Sequence, residues 1–198
     1  MAVNKQVIYE GVSGMPFSGN EHGLMDVFGV FLSSGSAEFY NALSFKYLKK
    51  LPRSFRSEGE KILTNAAWVC GYNTFRGIQT SAEWDGLIAP MVENSTDQLI
   101  ASIEVCNALG WVKWQLTDVD PGRRAVVEAE KGYEAELFLR DYGKSASPVC
   151  YMLQGVVSAL CDLSYGKEYP EGIYTFDTKE TACRGAGAAK CVFIAERK

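Results

Sequence analysis

Apolar residues change their period along the chain, and each change marks an element. From Ser36, a residue able to cap a helix, Phe39, Tyr40, Leu43 and Tyr47 fall on one stripe; Lys46, Lys49 and Lys50 sit where the dipole favours cations, and Pro52 ends the run. Ser57 and Glu60 have capping-box spacing, and Ile62, Leu63, Ala66, Val69 and Cys70 share one face of the helix they predict. Residues 96–109 repeat the helical rhythm with Leu99, Ile100, Ile103 and Cys106, and Gly110 supplies a stop. The period then becomes two. Val112, Trp114 and Leu116 alternate with Lys113, Gln115 and Thr117, Asp120-Pro121-Gly122 makes a turn, and 124–130 resumes the extended pattern as a β-hairpin. Residues 133–142 predict a short helix with Leu137 and Phe138 inward. Ser147-Pro148 opens the longest apolar stripe: Val149, Met152, Leu153, Val156, Val157, Leu160 and Leu163. Two extended runs, 173–180 and 191–196, joined by a loop with Gly185 and Gly187, predict a terminal hairpin.

Helices interleaved with antiparallel hairpins predict an α/β chain of the α+β kind, an antiparallel sheet of about four or five strands packed on a layer of helices. A length of 198 residues fits one domain spanning 1–198. Residues 1–35 read as an N-terminal arm, loosest over 10–23 with four Gly, Pro16 and two Ser. At 47% hydrophobic and 22% charged the chain is neither disordered nor fibrous, and 20 Lys and Arg against 24 Asp and Glu leave no basic footprint for nucleic acid or an anionic membrane. The start lacks the apolar run of a signal peptide, and no stretch approaches the roughly 18 apolar residues of a membrane span, so a cytoplasmic protein is expected. In a reducing compartment the six cysteines read as core residues, metal ligands or reactive thiols rather than disulfides.

The terminal hairpin carries the most informative spacing. Glu180, Cys183 and Cys191 flank the loop 184–190, and two thiolates at the mouth of a loop are half of a tetrahedral zinc site. Glu180 can add a carboxylate oxygen. Cys150, placed by Ser147-Pro148 in the first turn of a helix, is the candidate fourth ligand, because the positive end of the dipole favours thiolate. Lys179, Arg184 and Lys190 are near enough in sequence to offset the negative charge of such a set. The spacing is equally that of two core cysteines or a redox pair. Cys70, Cys106 and Cys161 read as core.

Tyr133-Glu134-Ala135-Glu136, Tyr142-Gly143, Pro148-Val149-Cys150, Gly155, Ser158-Ala159 and the run from Glu180 through Cys183-Arg184-Gly185-Ala186-Gly187 to Cys191 resemble the 4-vinyl reductase domain family. That family includes the effector-binding domains of phenol- and xylene-responsive bacterial activators and a protein linked to bacteriochlorophyll synthesis. The resemblance covers about the last 70 residues well; before that only the order of elements matches. It implies a structural zinc bound by Cys150, Glu180, Cys183 and Cys191, and a homodimer. Two departures stand out. Residues 162–172 resemble an insertion. The His and Trp with which the phenol sensors hold a phenolic hydroxyl have no counterpart, because the one His is His22 and the stretch before Tyr133 reads Glu128-Ala129-Glu130, so phenol is not the expected ligand.

Catalytic patterns are absent from the sequence. No Cys-x-x-Cys occurs, Gly185-Ala186-Gly187 lacks a third Gly and a following helix, and one His makes a triad unsupported. Glu134 and Glu136 read as a solvated face. Trp68, Tyr72, Phe75, Trp111, Trp114, Phe138 and Met152 are candidates to line an apolar cavity between helices and sheet, or are plain core. The expected function is a stand-alone small-molecule-binding or sensing domain for an apolar or aromatic ligand, with a structural zinc. The alternatives are an enzyme or assembly factor of tetrapyrrole metabolism, and a dimeric scaffold, since the family's architecture resembles subunits of vesicle-tethering complexes.

Overall fold

The computed structural model of the chain describes residues 2–33 and 35–198. Its centre is a four-stranded antiparallel sheet built from β3 (Val112–Asp120), β4 (Arg124–Gly132), β5 (Phe176–Ala182) and β6 (Cys191–Arg197), in the order β3-β4-β6-β5. Both hairpins form, the second with its first strand at Phe176–Ala182 rather than 173–180, and Gly122 at φ 76° and Gly187 at φ 94° lie in the two connections. One sheet face buries Val112, Trp114, Val127, Ala129, Phe176, Phe193 and Ala195 against α6 (Ser95–Ala108) and α8 (Tyr151–Tyr165). Helices thus cover one face of an antiparallel sheet, the expected α+β layering.

A second helical layer lies outside the first. α4 (Arg56–Gln79) runs along α8 and is followed by the short α5 (Ala82–Leu87), and α1 (Lys5–Ser13) packs on α6 with Ile8 and Val12 fully buried. The α4–α8 approach is set by small residues. A Cβ added to Gly155 would fall 2.1 Å from the Thr64 carbonyl oxygen and 2.8 Å from the Trp68 nitrogen, and one on Gly71 would meet the Ala159 methyl at 3.1 Å. The run 24–32 forms a hairpin of β1 (Met25–Val27) and β2 (Val30–Leu32), turned by Phe28 and Gly29, both at positive φ.

Local details add to the sequence reading or depart from it. Ser36 caps a helix as expected, α2 (Ala37–Asn41), which continues through a π-wound turn (Ala42–Lys46) into α3 (Tyr47–Lys50), and its stripe faces outward: Phe39 is 63% and Tyr47 59% exposed. In α4 the buried face is Gly59, Leu63, Ala67, Trp68, Gly71, Tyr72, Phe75 and Ile78, so Ile62, Ala66, Val69 and Cys70 point to solvent and Cys70 is not core. That face combines small residues, Gly59, Ala67 and Gly71, which permit close approach, with the large side chains of Trp68, Tyr72 and Phe75. No capping box forms at Ser57, because a 3₁₀ turn (Arg53–Phe55) leads straight into the helix. Finally, α8 starts at Tyr151, three residues beyond Pro148, with Cys150 as its N-cap.

Candidate metal centre

The end of β5, the start of β6 and the first turn of α8 meet at one corner. Phe176, Thr178 and Glu180 alternate inward along β5. Strict alternation would then send Cys183, an odd number of residues further, to the other face. A bulge between Glu180 and Ala182 shifts the register against β6 and brings Cys183 round to the side of Glu180. A 3₁₀ turn (Arg184–Ala186) follows, in which the N–H groups of Ala186 and Ala188 both donate to the Cys183 carbonyl at 3.0 Å, and the chain returns to Cys191 at the head of β6.

Cys150, Glu180, Cys183 and Cys191 place their ligand atoms within 4.8 Å of one another. Cys150 Sγ lies 3.9 Å from Cys183 Sγ and 3.7 Å from Cys191 Sγ. A disulfide needs about 2.05 Å between sulfurs. Thiolates on a tetrahedral ion at 2.3 Å stand about 3.8 Å apart. The Arg184 N–H donates to Cys191 Sγ at 3.3 Å, the kind of outer hydrogen bond that orients a thiolate ligand. Glu180 Oε2 accepts the Cys150 N–H at 2.9 Å, while Oε1 is buried with no partner among the described residues.

Burial, with Cys183 beside it, pushes the Glu180 carboxyl up to about 8. The thiols share their protons unequally. Hydrogen bonds from Cys150 and Cys191 hold Cys183 well below the usual thiol range. Its contacts with Cys183 and Cys191, reinforced by burial, drive the Cys150 thiol upward. Several acidic groups gathered out of water, with one carboxylate oxygen unpaired, make a donor set that a soft divalent cation would satisfy. The residues fit a closed site of three sulfurs and one oxygen.

Glu134 is the residue sequence reasoning missed. It is 1% exposed on α7 (Tyr133–Tyr142), not on a solvated face, and its oxygens accept the N–H groups of Met152 and Leu153 at 3.1 and 3.0 Å. The free N–H groups of α8, expected to be served by Ser147, are thus served by two carboxylates from elsewhere in the chain: Glu134 on Met152 and Leu153, Glu180 on Cys150. Desolvation holds Glu134 up at about 8. Glu136 pairs with Arg184 at 2.6 Å, and Lys190 with Glu128 at 2.9 Å, so these two cations answer carboxylates outside the cluster. Lys179 lines a shallow cleft on the outer sheet face. Cys106 and Cys161 are buried away from the corner, as core.

Of the seven aromatic and Met candidates, Phe75 and Trp114 belong to the main core with Trp111, Phe138 and Met152 packed against it, while Trp68 and Tyr72 form a second, smaller cluster. Trp68 donates its indole N–H to Asp162 at 2.7 Å, and Tyr72 stacks on Tyr169. Phe75 meets Trp111 edge-on, and Trp114 donates to the Ile103 carbonyl beside Phe193. Phe138 packs on Phe45, and Met152 sulfur accepts the Tyr133 hydroxyl. Of the seven, Trp111 borders an open cleft of about 340 Å³ shared with Gly132, Tyr133 and Glu136.

The fold and corner together define an α+β domain with a buried Cys₃Glu cluster that could hold a metal ion. No protein-family model and no curated protein matches the chain. Among solved structures it is similar to the phenol-responsive sensory domain of the transcription activator PoxR, determined with phenol: TM-score 0.74, 16% identity, 96% of this chain and 90% of that one. It is also similar to subunit 3 of a trafficking protein particle complex from Naegleria fowleri, covalently bound to palmitic acid: TM-score 0.55, 12% identity, 82% of this chain and 92% of that one. At these identities the likeness is one of fold.

Proposed function

We propose that this chain is a small-molecule-binding domain of the sensory kind, taking an apolar or aromatic ligand, with its C-terminal corner held by a structural zinc ion. The observation that carries the reading is the likeness to the PoxR sensory domain along 96% of the chain. Cys150, Glu180, Cys183 and Cys191 would hold the ion, which would supply positive charge to a buried acidic corner and cross-link β5, β6 and α8. Four protein ligands leave no position for water, so the site supports the fold and performs no hydrolysis. Glu180 has a double role: Oε2 holds the Cys150 N–H and Oε1 is free for the ion. Six unpaired thiols suit a reducing compartment such as the cytoplasm.

Native mass spectrometry of the purified protein reads metal, small molecule and oligomer together. One zinc per chain is expected, and its loss in Cys183→Ser; a variant that keeps its full metal content would overturn the ligand assignment. A bound organic molecule, or saturable uptake of small aromatic probes, supports sensing, and inertness toward all of them removes it.

A second reading, association of two copies through helices, is favoured by the exposed apolar side chains of Phe39, Leu43, Tyr47, Phe55 and Ile62 on the segment from α2 to α4. Its measure is the molar mass in solution by light scattering.

A further inference from the structure

The segment from α2 to α3 turns three large apolar side chains, Phe39, Leu43 and Tyr47, to solvent, and buries two polar residues, Asn41 and Ser44, beside Phe45. A helix serving only to cover the core would show the reverse. Asn41 is 5% exposed and Ser44 0%. The Asn41 amide donates to Asp141 on α7, which fixes its Oδ1 as an acceptor. That oxygen and Ser44 Oγ both lack a partner among the described residues, an expensive arrangement for buried polar atoms. Ser44 stands in the π-wound turn, with Asn41 immediately before it, and π turns are rare and concentrated at functional sites. The surroundings are aromatic: the Phe45 ring lies 5.0 Å from Phe138, 6.1 Å from Tyr142 and 6.3 Å from Tyr151.

We propose that the underside of this π-wound turn binds a compact aromatic or apolar molecule carrying one hydroxyl, which donates to Asn41 Oδ1, accepts from Ser44 Oγ and packs among Phe45, Phe138 and Tyr142. The proposal rests on the small-molecule reading above and gives that ligand a place and a required polar group. A hydroxyl is the smallest group able to answer both atoms, since it donates one hydrogen bond and accepts another. The ligand enters by displacement of residues 37–50, which are tied to α7 by Glu38–Arg140 at 2.9 Å and by Asn41–Asp141. The ligand then pairs two polar atoms that the fold turns inward, and that differential interaction is what shifts a sensing element from its free to its bound state.

Benzyl alcohol and ethylbenzene have nearly the same shape and differ in the hydroxyl. Titrated into the full chain and followed by backbone amide NMR shifts, benzyl alcohol is expected to bind at least roughly tenfold tighter, against the order of their hydrophobicities, with the largest shifts at residues 41–46. Ser44→Ala and Asn41→Leu should each erase that preference. Ser44→Ala alone should also raise the melting temperature of the ligand-free protein by roughly 2–4 °C, because it deletes an unpaired buried hydroxyl. Saturable binding whose preference and shifts ignore both variants, or a melting temperature lowered by Ser44→Ala, overturns this site and leaves the sensing reading standing. If neither these nor any other small aromatic probe binds the wild-type chain, the sensing reading itself falls, and the site with it.

Discussion

Asp162 lies on α8 with no solvent contact, and it accepts three N–H groups: those of Trp68 Nε1 and Tyr174 on Oδ2, at 2.7 and 2.8 Å, and that of Phe176 on Oδ1 at 2.7 Å. It fastens α4 and the start of β5 to α8. Desolvation, opposed by those hydrogen bonds, raises its carboxyl to about 6. The folded state therefore holds this proton more tightly than the unfolded chain, so the contribution is complete below about pH 4 and is lost as pH rises through about 6. In Asp162→Asn that part of the pH dependence should vanish, as seen by subtracting denaturant midpoints of the variant from wild type between pH 4 and 7. The variant should also be less stable at pH 7 by about 1–3 kcal/mol, because an amide cannot accept on both sides. An unchanged difference across the window would assign the proton elsewhere.

Two helix contacts show how far elements were legible in the sequence. The hairpins and the Glu180, Cys183, Cys191 set could be read because their geometry is local: alternation, a turn and a short loop place them. Glu134 could not, because a carboxylate becomes a core residue only when another element brings it unsatisfied N–H groups, and α8 arrives from later in the chain. For the same reason α8 starts three residues later than the local Ser147-Pro148 signal predicts, where distant carboxylates meet its N–H groups. Glu134→Gln keeps the shape but turns one acceptor into a donor, and should cost about 1–3 kcal/mol while weakening metal retention in a chelator competition. The α4–α8 contact is steric instead. Gly155→Ala puts a methyl into the Thr64 carbonyl, which only a separation of two backbones can relieve, so a loss of about 3 kcal/mol or more is expected in urea melts. A neutral result would show that α4 is loosely held.

On the scale of the molecule, the apolar stripe of residues 39–47 faces solvent, which periodicity alone does not decide, because it reports a face without saying what covers it. The inner side of α4 is already filled by α8 through Gly71 and Gly155, and α7 takes Phe45 from the π-wound turn. Phe39, Leu43, Tyr47, Leu51, Phe55 and Ile62 are left outside. Large apolar side chains exposed together along one stretch of chain are the kind of surface that a partner covers. A second copy meeting this face would cover it symmetrically. Ile62 is the cleanest probe, being 67% exposed on the outer side of a long helix with no core contact to lose. On the dimer reading proposed above, Ile62→Asp should shift the molar mass from that of two chains to that of one at micromolar concentration, with the melting behaviour of the separated chain retained, because the Cys₃Glu corner lies elsewhere, at β5, β6 and α8. A wild-type protein that is monomeric at the highest accessible concentration would leave this face to some other partner and remove the dimer.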